Sequence, residues 1–243
     1  MIMSKIHETG IAKNVATANL LITYISQLAT LYQPSNPDIE LATLKTIYQQ
    51  AYDYTQQVNS ALPPYTLATK ERALIFEPIN KKLAKLRRVY KSTKGVSEAQ
   101  LEAFMTIARK YRGARKNTPT TSTTPENEQN QHSVAQLSFD QRSNTFTQLI
   151  ELLQSTPNYA PNETEYQVTT LQNEKDLMME ATQKVADNYF PLSLARGKRN
   201  KVMYTDKLNL VDTFNIAKDY LFTILDTKSP EYKAISRLKF KKQ

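Results

Sequence analysis

The chain has 243 residues, with 32 Lys and Arg against 23 Asp and Glu, a net charge of +9, a pI near 9.5, and neither Cys nor Trp. The missing cysteine excludes disulfides, thiol nucleophiles, iron–sulfur clusters and Cys-ligated zinc, and leaves imidazole chemistry to His7 and His132. Gly10, Gly95, Gly113 and Gly197 stand too far apart for a phosphate-cradling loop, which excludes the dinucleotide fingerprint and the Walker loop.

Taken in chain order, residues 1–13 hold no apolar run of secretory length, so no targeting segment is expected and the expected location is the cytoplasm. Residues 11–31 form the first amphipathic helix, broken by Asn19, Thr23, Ser26 and Gln27 and too polar to span a membrane. Tyr32-x-Pro34 follows, with Ser35 as a cap and Asp38 in the first turn of the next helix. Leu41, Leu44, Tyr48, Ala51, Val58 and Leu62 then recur at helical steps, and Pro63-Pro64 predicts the end of that helix. Thr66 is the next expected cap, and a long helix to about residue 94, kinked at Pro78, buries Leu83, Leu86 and Val89. Ser97-Glu98-Ala99-Gln100 fits a capping box opening a shorter helix.

Residues 117–133 are almost entirely Thr, Ser, Pro, Asn, Gln and Glu, the composition of a flexible linker. A second opener is expected over 139–153, then Tyr159-x-Pro161, a cap at Asn162 with Glu165, and the stripe Val168, Leu171, Met178, Val185 and Tyr189. Asn162-Glu163-Thr164 also fits the glycosylation acceptor pattern, which is read as a coincidence because no export signal is expected. Pro191 predicts the end of that helix. Ser193 caps the next, which buries Leu210, Phe214, Ala217 and Leu221, and Ser229-Pro230 starts the last.

The second series echoes the first. At an offset of 127, thirteen of the sixty residues from 32 to 91 are identical, where chance gives roughly four. Among the pairs are Tyr32 with Tyr159, Pro34 with Pro161, Pro64 with Pro191 and Arg72 with Arg199. The expected architecture is therefore all-α: two tandemly duplicated, elongated antiparallel bundles of about four helices each. The first would occupy 1–116 and the second 139–243, joined by the linker 117–138.

Residues 6–16 (IHETGIAKNVA), the segment 32–38 (YQPSNPD) and this duplicated layout resemble a family of uncharacterised bacterial proteins with two helical repeats. The resemblance covers nearly the whole chain and implies no activity, cofactor or catalytic residue.

Charge is unevenly spread. Residues 70–116 hold fourteen basic residues against four acidic ones, a local charge of +10, so the rest of the chain is nearly neutral. The candidate anion-binding residues are Lys81, Lys82, Lys85, Arg87, Arg88, Lys91, Arg109 and Arg112, with Arg72 and its repeat partner Arg199. Lys81, Lys85 and Arg88 share a helical face. Such a stripe suits a solvated surface, the phosphates of nucleic acid, or an acidic protein or lipid surface. The tail, Arg237 with Lys239, Lys241 and Lys242, is expected to stay solvated. Neither His7 nor His132 belongs to a ligand pair, and no carboxylate forms a Glu-x-x-His motif, so no catalytic residue, metal or cofactor is expected. The expected function is a non-catalytic structural or interaction protein, with an unidentified protein partner or self-association. Non-specific nucleic-acid binding through 70–116 is the alternative.

Overall fold

The computed structural model describes residues 10–113 and 138–242, and every regular element among them is helical. The α-helices are α1 (Ile11–Leu28), α2 (Leu41–Phe76), α3 (Ile79–Ser92), α4 (Glu98–Arg112), α5 (Phe139–Gln154), α6 (Val168–Asn200), α7 (Leu210–Ile224) and α8 (Pro230–Ser236). No helix among the described residues is long and apolar enough to cross a membrane. His7, His132 and the linker expected at 117–133 lie outside the described residues.

Local chemistry explains most of the boundaries. Ser97 Oγ accepts from Gln100 N, while Gln100 Oε1 accepts from Ser97 N at 2.9 Å, so the expected capping box opens α4. Ser229 Oγ accepts from Tyr232 N and Pro230 fills the first turn of α8. The caps expected at Ser35 and Asn162 are not used. Asn36 caps a 3-10 turn, Pro37–Ile39, a second such turn forms at Thr164–Tyr166, and α2 and α6 begin two residues after these turns.

Tyr32 and Tyr159 each fasten their loop to the 3-10 turn that follows. Tyr32 Oη donates to the Ile39 carbonyl at 2.6 Å, and Tyr159 Oη donates to the Tyr166 carbonyl at 2.8 Å. Burial pushes both phenols above their ordinary pKa. The Tyr90 hydroxyl is likewise bonded inside the protein, to Thr156 Oγ1 at 2.8 Å.

The prolines do not end the long helices. α2 runs through Pro63 and Pro64, and α6 runs through Pro191. A proline in a helix interior removes one hydrogen bond and crowds the carbonyl four residues earlier, at about 3 kcal/mol. Here those carbonyls belong to Asn59, Ser60 and Asp187, all exposed, so water can satisfy them. Buried residues on both sides, Val58 and Ala68 in α2 and Val185 and Leu192 in α6, hold each helix together across the weak point. The first break after α2 comes at Pro78, and α6 passes into a π-helical turn, Lys201–Thr205.

This continuity changes the domain division. Among the described residues, one compact unit comprises 10–64 with 189–242, and the other comprises 65–113 with 138–188. The halves expected to be separated by the linker therefore do not correspond to the units: α2 and α6 each contribute one end to either unit. In the first unit α1, the start of α2, α7 and α8 bury Leu21, Ile25, Leu44, Phe214 and Leu221. In the second, α3, α4 and α5 close over Phe76, Leu86, Phe104, Phe146 and Leu171.

Candidate functional site

The cationic segment is organised by two amphipathic helices of the second unit. α3 buries Ile79, Leu83, Leu86 and Tyr90, and α4 buries Phe104, Ala108 and Tyr111. Both sets step by three and four residues, so each helix has one apolar side and its basic residues flank it. The connecting turn is tight: Thr93 N donates to the Tyr90 carbonyl at 3.1 Å, and Gly95 takes a φ of 89°, a left-handed conformation that suits glycine.

Between the two helices lies a groove of about 520 Å³. Its floor is Leu83, Phe104 and Ala108, and its rim carries Arg87, Arg88 and Lys91 from α3 with Arg109 and Arg112 from α4. No carboxylate lines it, and no salt bridge joins any of these five cations among the described residues. The α4 arginines are oriented by neutral partners. Arg109 donates to Thr106 Oγ1 at 2.9 Å and to the Met105 carbonyl at 3.3 Å, and Arg112 donates to the Asn80 carbonyl at 3.2 Å.

The remaining candidates separate from this group. Lys81 and Lys85 are exposed on α3 and do not line the groove. Lys82 is committed elsewhere: its ammonium is paired with the Glu174 carboxylate and donates to the Glu165 carbonyl at 3.2 Å, tying α3 to α6. Arg72 lies over the ring of Phe139, 3.9 Å from its centroid, a cation–π contact that holds α2 to α5. Its repeat partner Arg199 is in the other unit, where it donates to Asn200 Oδ1 at 3.0 Å; burial and the neighbouring Arg196 lower its pKa. Neither arginine belongs to the groove, which brings together only Arg87, Arg88, Lys91, Arg109 and Arg112 of the candidate residues.

All five are among the candidates expected from sequence, whereas the shared face of Lys81, Lys85 and Arg88 enters the groove only through Arg88. The signal for the groove was present in the matched steps 84-87-88-91 and 105-108-109-112 on two helices joined by a short turn. Among the described residues, no three His, Asp or Glu side chains gather in a metal-binding group.

Five like charges around one groove repel one another, and an anion between them relieves that repulsion. Arginine adds planar, two-pronged donors that match phosphate. Along α3, Arg87 to Lys91 covers about 6 Å of axis, roughly the span of two phosphates on one strand of a duplex. Compared with known protein families, curated proteins and solved structures, the chain matches none, so the resemblance noted for residues 6–16 and 32–38 adds nothing to this assignment.

Proposed function

We propose that the chain is a non-catalytic helical binding protein that holds the phosphate backbone of nucleic acid in the α3–α4 groove with little sequence preference. The observation that carries this reading is five cations on one groove with no carboxylate among the described residues that line it. Solvated surface charge is ordinarily interspersed with the opposite sign, and this groove is not. The test is titration of labelled random-sequence DNA and RNA at several salt concentrations, with wild type beside R87Q/R88Q/R109Q. Wild type is expected to bind with a steep negative salt slope, and the variant to lose about three from its magnitude. Absence of binding near about 50 mM salt would overturn the proposal.

A protein partner or a second copy is the alternative, favoured by the exposed side of α6, where Phe190 is 71% and Leu194 48% exposed. Self-association that persists in R87Q/R88Q/R109Q would favour it.

We also propose that the architecture is a tandem duplication with exchanged halves. Three repeated details at offset 127 support this reading: the 3-10 turns at Pro37–Ile39 and Thr164–Tyr166, the Tyr32 and Tyr159 bonds, and Thr55 and Thr182 donating to the carbonyls of Ala51 and Met178. Each unit would then combine the opening of one copy with the close of the other. Fragments 1–116 and 139–243 are expected to unfold cooperatively only when mixed; sharp melting of either alone would refute the exchange.

A further inference from the structure

A second basic cleft lies in the other unit, at the start of α1. It holds about 380 Å³ and is lined by Lys13 of α1 and by Arg237, Lys239 and Lys241 from the chain after α8. No carboxylate among the described residues lines it. We propose that this cleft is a second phosphate-binding site, distinct in position and residues from the α3–α4 groove.

The cleft is built, because the tail that carries three of its cations is fixed in place. Phe240 is buried in the core with its ring 5.5 Å from that of Phe214. Lys239 and Lys241, on either side of Phe240 in sequence, are exposed and both line the cleft. Asn14, itself 2% exposed, grips the tail through both backbone groups of Lys241: its amide Nδ2 donates to the Lys241 carbonyl at 2.8 Å, and its Oδ1 accepts from Lys241 N at 3.2 Å. From the other side Lys218 donates to the Leu238 carbonyl at 2.5 Å and to the Ser236 carbonyl at 3.3 Å. Lys242 is spent on Asp212, at 2.6 Å, and stands outside the cleft.

The α1 N-terminus adds to the attraction. Gly10 caps the helix without a side-chain hydrogen bond, the first turn has no acidic residue, and Gly10 lines the cleft with Lys13. The positive end of the helix dipole therefore opens onto the four cations. Phosphate is the anion that suits this set, since it accepts several donors at once from ammonium, guanidinium and backbone amides.

The experiment is amide NMR of the full chain titrated with inorganic pyrophosphate and, separately, with a short single-stranded DNA. Binding is expected to shift the amides of residues 10–20 and 237–241, and K13Q/K239Q to weaken that response by about tenfold per cation removed. Response to both probes marks a site for free phosphate groups, and response to DNA alone marks a site for the phosphodiester backbone; either supports the proposal. Asn14→Ala keeps all four cations but releases the tail, and is expected to weaken the same response. Silence at residues 10–20 and 237–241 with both probes, or a response unchanged in K13Q/K239Q, would overturn it. Amides of residues 83–112 report the α3–α4 groove independently in the same spectra.

Discussion

The α3–α4 pair and the α7 face with its tail lie 127 residues apart in the chain, the offset of the proposed duplication, and dispose of their charge in opposite ways. On α3, Arg87 and Lys91 line an open groove. At the corresponding positions of α7, Phe214 is fully buried beside Phe240, and Lys218 is turned to the carbonyls of Ser236 and Leu238. Burial lowers the pKa of Lys218, with Asp219 opposing the shift and Lys239 adding to it. Where Lys85 stands exposed on α3, Asp212 accepts from Lys242 on α7. On α7, Lys218 and Lys242 serve the fold, bonded to the tail's own carbonyls and to Asp212; on α3 and α4, no described residue pairs the groove cations with an acid, which is what the proposed phosphate site requires. A lysine count alone does not distinguish these two uses, whereas the partner of each ammonium does.

The comparison predicts that the covered face carries stability and the open groove does not. The largest effect is expected from Phe240→Ala, which empties a core position and loosens the tail, at about 3 kcal/mol by urea denaturation. A loss below about 0.5 kcal/mol, the scale of an ordinary surface change, would show that the tail is not held as described.

A smaller, pH-dependent effect belongs to the Asp212–Lys242 pair. The hydrogen bond from Lys242, then that from Asn209, holds the Asp212 pKa below its ordinary value. A lowered folded-state pKa contributes stability above the unfolded pKa of about 3.9, and that contribution disappears as pH falls through the folded value. Because both side chains are about half exposed, the pair is worth about 0.5 kcal/mol. The difference in stability between wild type and Lys242→Gln is therefore expected at neutral pH and to vanish in strong acid.

The smallest stability effect is expected in the groove. R87Q/R88Q/R109Q removes charges that repel one another and carry no salt bridge among the described residues, so its unfolding free energy should stay within about 0.5 kcal/mol of wild type or rise slightly. A marked loss would mean that these arginines serve the fold, as Arg72 does over Phe139.

The helical class and the openers α1 and α5 were legible because amphipathic spacing and capping chemistry are local. The helix ends were not, since the penalty at Pro63, Pro64 and Pro191 is local while the burial of Val58, Ala68, Val185 and Leu192 that offsets it is tertiary. The same limit hid the division into units: only a helix that continues past its prolines can place its two ends in different cores. At the site, the residue types were readable, but their separation into groove, ion pair and cation–π contact was not. Lys82 and Lys81 are neighbours in sequence, yet only Lys82 meets an acid from a helix some ninety residues on, Glu174. The tail misled for a related reason, because Phe240 anchors what three lysines would otherwise keep solvated.

The central claim is that phosphates are held inside the α3–α4 groove and not on basic surface in general. The most direct measurement is the salt slope of DNA binding for two variants of equal net charge, R87Q/R88Q/R109Q in the groove and K81Q/K85Q/K94Q outside it. The account predicts that the groove variant lowers the magnitude of the slope by about three while the outer variant lowers it by less than about one. Equal losses in the two variants would contradict it.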